Sequence, residues 1–234
     1  MGESLMGSED LFKKRVARRS QDFKRVSKAR APMKKILIVC EGEKTEPTYF
    51  MEFVNFCRIS TASVVEISGE CGSSPVNVVT WAKEKYLSEK RRSDPYDKVY
   101  CVFDRDAHSN YPAAVSQIQS LKPENVFEAI TSIPCFEYWL LLHFGYSRKA
   151  FSPQKGKSEG AQMLSELKKH LPNYEKKATG VFKELHARLN DALQNSQRAQ
   201  QAAIKDGSDN PTTKVGIMVD QLLKIRDEFE KKSE

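Results

Sequence analysis

The sequence predicts an α/β protein in which a mostly parallel sheet is covered by helices on both faces. Its first 147 residues contain short, continuous apolar runs rich in β-branched residues, which are typical of strands buried on both faces. Segments with apolar residues at helical spacing separate these runs. Strands that alternate with helices in this way imply right-handed crossovers between parallel neighbours.

The first strand is predicted over residues 35–40, where the run KILIVC is apolar after its first residue and then breaks sharply. A helix is predicted next, through about residue 58, with Thr45 or Thr48 as its cap. The run SVVEI predicts a second strand over residues 63–67, because it is rich in β-branched residues and precedes a polar loop.

The second half of the predicted core continues the alternation. Apolar residues recur at helical spacing over residues 76–87, and the run KVYCVF predicts a third strand over residues 98–103. A helix over residues 112–121 and a fourth strand over residues 126–130 follow. The last helix of the core is predicted over residues 136–144, where aromatic residues and leucines suit packing against the sheet.

The composition changes after residue 147. Residues 161–204 are rich in Lys, Glu, Gln, Ala and Leu and contain no strand candidate, and an amphipathic helix is predicted after Pro211. The apolar sides of these helices favour packing on the core, although they could also contact a partner. We therefore predict a basic, flexible N-terminal arm over residues 1–32, a core over residues 33–147 and a helical C-terminal region over residues 148–234.

The excess positive charge of the chain lies near its N-terminus. Residues 1–35 hold eleven Lys and Arg against four acids, whereas the rest of the chain carries 27 of each sign, so the net charge of +7 comes from this segment. Such a segment can neutralise nucleic-acid phosphates, which predicts salt-dependent binding without sequence preference. A solvated, solubilising tail is the alternative, and a mitochondrial presequence fits less well because the segment contains acids.

The composition also excludes several classes of protein. With 39% hydrophobic and 29% charged residues, the chain is neither a membrane bundle nor wholly disordered. It has no window of roughly 18 to 20 uninterrupted apolar residues and no signal-peptide pattern, so we expect a cytoplasmic protein without a membrane partner. Five cysteines without a CxxC pair and four dispersed histidines argue against disulfides and a zinc site.

Acidic residues follow two of the clearest predicted strands. Glu41 comes directly after the first strand, and Asp104 and Asp106 follow the third. Residues two apart project the same way along an extended chain, so both aspartates can face one spot while Arg105 points elsewhere. Because the carboxyl ends of parallel strands meet at one edge, the three carboxylates should gather there if the strands are neighbours. An oxygen-only set of this kind suits Mg²⁺ or Mn²⁺, with helix capping or a solvated turn as the alternative.

Further polar residues are candidates for the same site. Glu137 lies in an apolar stretch, where a carboxylate needs a partner or a metal, so it is a candidate fourth ligand. Lys44 and Arg105 are candidate contacts to nucleic-acid phosphates, with solvated side chains as the alternative. His108 follows the acids closely and is a candidate for proton transfer, whereas His143 is expected in the core or at an interface, with proton transfer as the alternative.

Four motifs in a fixed order carry a resemblance to a known family. They are VCEGEKTEP at residues 39–47 followed by Tyr49-Phe50, VFDRD at 102–106, PCFE at 134–137 followed by WLLLHF at 139–144, and NPT at 210–212. On these motifs the chain resembles the RloB family, which is related to the AbiL abortive-infection proteins. The similarity covers about residues 33–230.

The resemblance implies a Toprim-like catalytic core, in which a glutamate after the first strand and a DxD after the third support Mg²⁺-dependent chemistry on nucleic-acid phosphodiesters. Glu41 matches the glutamate, and Asp104 with Asp106 match the DxD. The implied function is a nuclease acting on DNA or RNA in prokaryotic antiphage or abortive-infection defence, with Glu41 as a metal ligand or general base. Many Toprim segments carry another acid soon after the glutamate, where this sequence has Glu43 and Glu46, and the role of Glu46 stays open.

Two other functions stay open from the sequence. The chain could be a non-catalytic nucleic-acid-binding or partner-regulated subunit, in which the arm and the C-terminal helices do the binding. Nucleotidyl transfer fits less well, because the sequence has no zinc-finger cysteine set. The resemblance also implies an ATPase partner protein, since this sequence has no ATPase motif of its own. Self-association into a homo-oligomer is a further possibility.

Overall fold

The computed structural model describes residues 33–105, 108–152 and 156–233. The predicted basic arm, residues 1–32, lies outside the described residues. So does Asp106, which the sequence assigns to the candidate metal site. The predicted boundary between the core and the helical region near residue 147 stays a prediction.

The described elements alternate between strand and helix through the first half of the chain and are mainly helical thereafter. In chain order they are β1 (Lys34–Cys40), α1 (Thr45–Phe56), β2 (Ser63–Ser68), α2 (Pro75–Arg91), β3 (Lys98–Asp104), α3 (Tyr111–Ser120), β4 (Phe127–Ile133), α4 (Glu137–Leu141), α5 (Glu159–Leu167), α6 (Val181–Leu185), α7 (Leu189–Asp206), β5 (Thr212–Thr213) and α8 (Val215–Ser233).

The described strands form one sheet in the order β2-β1-β3-β4-β5. Neighbouring pairs from β2 through β4 are parallel, and β5 pairs antiparallel with the end of β4. Since β1 lies directly beside β3, the residues that follow these two strands meet at one edge. The predicted α/β class with a mostly parallel sheet is therefore confirmed.

Helices cover both faces of this sheet. Successive residues of a strand point to opposite faces, and in these strands the side chains on both faces are mainly apolar. On one face Ile36, Ile38 and Tyr100 pack against α1, α4 and the helices after residue 158. On the other face Leu37 and Val99 pack against α2 and α3. Burial of each large apolar side chain contributes about 1.5 to 3 kcal/mol to the stability of the fold. Both layers therefore stabilise the sheet and the edge at which β1 and β3 end.

Polar contacts join the later helices to the sheet and to α4. The Tyr100 hydroxyl of β3 donates to Oε1 of Gln221 on α8 at 2.6 Å. The indole N–H of Trp139, a fully buried side chain of α4, donates to the hydroxyl of Tyr49 on α1 at 2.8 Å. These bonds satisfy polar groups inside an apolar interface, where an unpaired group would cost free energy.

Strand β5 is an element that the sequence does not predict. It has only two residues, Thr212–Thr213, too few to carry an alternating pattern. Ser132 of β4 lies between two strands in register, opposite Asp104 of β3 and opposite Thr213 of β5. The hydroxyls of Ser132 and Thr213 are 3.0 Å apart and buried.

Two helix predictions need correction. Neither Thr45 nor Thr48 caps α1: the capping position is Lys44, which makes no side-chain cap bond. The Thr45 hydroxyl instead accepts a hydrogen bond from the N–H of Lys177 at 3.1 Å, so tertiary contact replaces the local cap. The helix predicted over residues 136–144 is shorter, because α4 ends at Leu141 and the chain continues in tight turns.

Candidate functional site

Glu41 joins the ends of β1 and β3. Its N–H donates to the carbonyl of Val102 at 2.9 Å, which extends the pairing of the two strands by one step. Its Oε2 accepts a hydrogen bond from the N–H of Asp104 at 3.1 Å, and its Oε1 lies 2.9 Å from Nε2 of His108. The side chain is 11% exposed, so the carboxylate is held in one orientation at the edge of the sheet.

Asp104 is the last residue of β3 and contacts the segment that leads into α4. Its Oδ2 accepts a hydrogen bond from the N–H of Phe136 at 3.1 Å. Burial raises the pKa of Asp104 well above its ordinary value, and repulsion from the carboxylates of Glu46, Glu137 and Glu41 adds to this, against the lowering effect of the Phe136 N–H. These surroundings therefore disfavour the charged form of Asp104 unless a cation compensates it.

Glu46 belongs to the same cluster, although the sequence leaves its role open. Its Oε2 is buried and accepts no hydrogen bond from any described group. Burial, with repulsion from Glu137 and Glu41, raises the pKa of Glu46 to about 7, while Lys176 and a backbone hydrogen bond oppose the shift. A sequence signal was available, since Glu46 lies on the helical face of Tyr49, Phe50 and Phe53, and all three are buried. A carboxylate on a buried apolar face is costly unless it has a polar partner or a functional role.

Two glycines leave room for this arrangement. A β-carbon on Gly42 would overlap Oε2 of Glu46, and one on Gly69 would overlap the carbonyl oxygen of Gly42. The loop after β1 and the loop after β2 therefore pack backbone against backbone beside the Glu46 carboxylate. Only residues without a side chain permit so close an approach.

Glu137 is the predicted fourth acid, and it is buried at the start of α4 with its side chain 3% exposed. The hydroxyl of Tyr174 donates to its Oε1 at 3.4 Å, and Nζ of Lys176 lies 3.5 Å from the same oxygen. The Glu137 carboxylate is the main cause of the raised pKa of Lys176. The partners of this buried acid thus come from a segment near residue 175, which the sequence does not connect with the site.

The two predicted phosphate contacts lie in different surroundings. Lys44 is exposed at the start of α1, close in sequence to Glu41. Arg105 forms an ion pair with an acid from the second half of the chain, since its Nη1 lies 2.8 Å from Oδ1 of Asp209. The phosphate contacts proposed for both residues stay predictions.

His143 lies inside the protein and not at the acidic site. It is 1% exposed, and its Nδ1 is 3.1 Å from the carbonyl oxygen of Trp139. Burial lowers the pKa of His143 to about 4, so the ring is neutral near pH 7. The expectation that it packs in the core agrees with these contacts.

The donor atoms of the cluster are of the type that a hard divalent cation prefers, but among the described residues their arrangement is not that of a formed metal site. Glu41, Glu46, Asp104 and Glu137 offer only oxygen atoms, which Mg²⁺ and Mn²⁺ prefer, and Oε2 of Glu46 has no described partner. Within residues 33–105, 108–152 and 156–233, however, no three His, Cys, Asp or Glu side chains stand where they could jointly hold a metal. A complete shell therefore requires Asp106 or a side-chain rotation of one of the four acids.

Comparison with known proteins gives one match. A family model described as RloB-like protein matches residues 36–222, which is more than half of the chain. No curated protein and no solved structure matches the sequence.

Proposed function

The chain belongs to the RloB-like family, and from this premise we propose that it is a nuclease that hydrolyses nucleic-acid phosphodiesters with Mg²⁺ or Mn²⁺. The observation that supports the proposal is the gathering of carboxylates from separate segments at one edge of the sheet. Ligands bind at this edge in open parallel sheets. The Toprim-like core and the relation to AbiL proteins are part of the proposal.

Each acid has a role in this proposal. Asp104 and Asp106, with Glu41 and Glu137, would hold the cation, and Glu46 would complete the negative wall beside it. A bound divalent ion supplies Lewis-acid polarisation and charge neutralisation at a phosphate.

The chain itself orients these groups. The N–H of Asp104 fixes the carboxylate of Glu41, and the N–H of Phe136 fixes that of Asp104. Glu41 is either a metal ligand or the general base that takes the proton of the attacking water. His108, 2.9 Å from the Glu41 carboxylate, would accept that proton next.

The biological setting is proposed from family membership. We propose a role in prokaryotic antiphage or abortive-infection defence, with DNA or RNA as substrate, an ATPase partner protein, self-association into a homo-oligomer and a cytoplasmic location. The basic segment at residues 1–35 would add salt-dependent affinity for the substrate. No helix in the described part of the chain combines the length and apolar character that a membrane crossing requires.

A cleavage assay with a binding readout tests the proposal. Purified protein is incubated with plasmid DNA and with total RNA in Mg²⁺, Mn²⁺ or EDTA, and products are followed on gels. Mn²⁺ is also titrated while thermal unfolding is recorded, because an ion that binds only the folded state raises the melting temperature. The proposal predicts metal-dependent products and a rise in melting temperature, and the absence of both would reject it.

The second candidate function is a non-catalytic nucleic-acid-binding subunit. It is favoured by the contacts that two of the acids already make, Glu41 with His108 and Glu137 with Lys176. Under this alternative the protein yields no products in Mg²⁺, Mn²⁺ or EDTA, and Mn²⁺ leaves its melting temperature unchanged. The same experiment therefore separates the two functions.

A further inference from the structure

One loop from the second half of the chain covers the acidic site. It joins α5 to α6, and we call residues 168–180 the covering loop. Within it, the Tyr174 hydroxyl donates to Oε1 of Glu137 at 3.4 Å, and Nζ of Lys176 lies 3.5 Å from that oxygen. The loop thus brings a positive charge to a cluster of carboxylates.

The covering loop is fastened to α1, the helix that carries Glu46. The N–H of Lys177 donates to Oγ1 of Thr45 at 3.1 Å, and the Glu52 carboxylate accepts hydrogen bonds from the N–H groups of Gly180 and Phe182. Lys177 also has a φ of 77°, a left-handed conformation that residues with a side chain seldom adopt. A backbone held in this way gives the neighbouring Lys176 a defined position.

Lys176 and Glu137 form a contact but differ greatly in their exposure to solvent. The lysine side chain is 62% exposed, whereas the glutamate side chain is 3% exposed. A largely exposed lysine gains little from an ion pair, because water screens the charge. The buried carboxylate gains more, but it also has the Tyr174 hydroxyl. The exchange therefore costs the lysine little, and a cation among the carboxylates, as in the proposed function, would compensate Glu137 when Lys176 meets a group that arrives from solvent.

A nucleic-acid substrate needs such a cation at this place. The phosphodiester is an anion, and the walls of the site are Glu41, Glu46, Asp104 and Glu137. Repulsion between the substrate and these carboxylates opposes binding until positive charge compensates it. A lysine ammonium is a mobile point charge with three donors, which suits phosphate oxygens.

We propose that Lys176 is a substrate-binding residue that holds a phosphate of the nucleic-acid backbone at the mouth of the acidic site. When nucleic acid binds, the ammonium exchanges its contact with Glu137 for a non-bridging phosphate oxygen. Exposed Lys44 precedes Thr45, the anchor of the covering loop, and in this proposal it would extend the contact along the backbone. This inference rests on the proposed function, because it assigns a substrate contact to the same site.

The test compares Lys176→Gln with Lys169→Gln. Lys169 is a matched control, because its side chain is 64% exposed and it also pairs with a glutamate, Glu166, at 2.7 Å. Binding of fluorescein-labelled DNA and RNA oligonucleotides is measured by anisotropy in Ca²⁺ at several salt concentrations. Lys176→Arg serves as the conservative variant, and thermal unfolding of each protein reports on the fold.

We expect Lys176→Gln to weaken binding about five- to tenfold and to reduce the salt slope by about one, as for loss of one phosphate contact. Lys169→Gln should change affinity less than about twofold, and Lys176→Arg should bind like the wild type. In the cleavage assay, KM should rise more than kcat falls. Melting temperatures of all four proteins should agree within about 2 °C.

Three results would overturn the inference. Lys176→Gln could bind with unchanged affinity and salt slope, it could behave like Lys169→Gln, or it could unfold well below the wild type, which would make the lysine structural. If the wild-type protein cuts nucleic acid while Lys176→Gln is unaffected, only this inference fails. If the wild-type protein neither binds nor cuts DNA or RNA, the proposed function fails with it.

Discussion

The backbone N–H of Asp104 donates a hydrogen bond to Oε2 of Glu41 at 3.1 Å, although the two residues are 63 positions apart in the chain. The bond joins the residue after β1 to the last residue of β3, so the Glu41 carboxylate cannot shift without the strand that carries Asp104. A site whose acids are fixed by backbone donors is organised before any ligand arrives.

Replacement of Asp104 tests both the proposed cleavage chemistry and the repulsion between the carboxylates of the site. We expect Asp104→Asn to lower metal-dependent cleavage by roughly 10³-fold, because a ligand charge is lost. In EDTA at pH 8 the same variant should melt a few degrees higher than the wild type, since a buried charge among carboxylates is removed. Cleavage is measured on gels and unfolding by differential scanning fluorimetry.

Glu124→Gln is the control for Asp104→Asn, because Glu124 is exposed and lies in the turn before β4. It should leave both cleavage and melting temperature unchanged. Full cleavage activity in Asp104→Asn would remove this residue from the proposed mechanism. A lower melting temperature in EDTA would instead show that the Asp104 carboxylate stabilises the metal-free fold.

The pKa of Glu46 predicts a pH dependence of stability in the metal-free protein. Because the folded pKa is about 7 and the ordinary value is 4.5, the stabilisation is complete below pH 4.5 and is lost as the pH rises through 7. The free energy of unfolding should therefore fall with rising pH, by about 3 kcal/mol at most from this group. Urea denaturation in EDTA at several pH values measures it.

Glu46→Gln should remove that part of the pH dependence, because the glutamine stays neutral throughout. Glu84→Gln, at an exposed position of α2, provides the comparison and should leave the slope unchanged. Parallel slopes for the wild type and Glu46→Gln would contradict the raised pKa.

The close approach of Gly42 to Glu46 predicts a coupling between the two positions. Gly42→Ala should destabilise the protein by about 1 kcal/mol, because the new methyl group displaces the end of the Glu46 side chain from its buried position. In a Glu46→Ala background the same change should cost much less, since the overlapping atoms are gone. A double-mutant cycle measured by urea denaturation gives the coupling energy, and simple additivity would contradict the close contact.

The positions of Glu41 and Asp104 could be predicted because strand ends are visible in the sequence. The runs at β1 and β3 are apolar and end in acids, and parallel neighbours bring such ends together. This reasoning uses only local pattern and one topological rule. It does not give the pairing order, which comes from the packing of the whole sheet.

Lys176 and the role of the Thr45 hydroxyl could not be predicted in the same way. The covering loop follows no strand and carries no periodic pattern, and its contacts with Glu137 and Thr45 bridge 39 and 132 positions. A threonine before a helix predicts a cap by local propensity, but the loop competes for the same oxygen. Contacts of this kind depend on how the helices after residue 158 fold back, which local pattern does not encode.

The buried His143 predicts a pH dependence opposite in sign to that of Glu46. Its folded pKa is about 4 and its ordinary value is 6.5, so the unfolded chain binds a proton first as the pH falls. The stabilisation is present above pH 6.5 and is lost towards pH 4, by about 3 kcal/mol at most. His143→Gln should flatten this part of the curve in urea denaturation.

His186→Gln is the control for His143→Gln, because His186 is an exposed histidine beside Phe56. Its pH curve should match that of the wild type. An acid-side slope that survives in His143→Gln would assign the effect to other groups.

Ser132 has Asp104 on one side and Thr213 on the other, so the last strand of the sheet is supplied by a segment more than one hundred residues downstream of the acid. We therefore expect that the residues up to about 147, which include Glu41 and Asp104, do not fold properly on their own. A chain truncated near residue 147 would lack β5 and leave the outer edge of β4 unpaired. We expect such an exposed edge strand to promote aggregation. A design that transfers the candidate site to another protein scaffold therefore has to include the segment that forms β5.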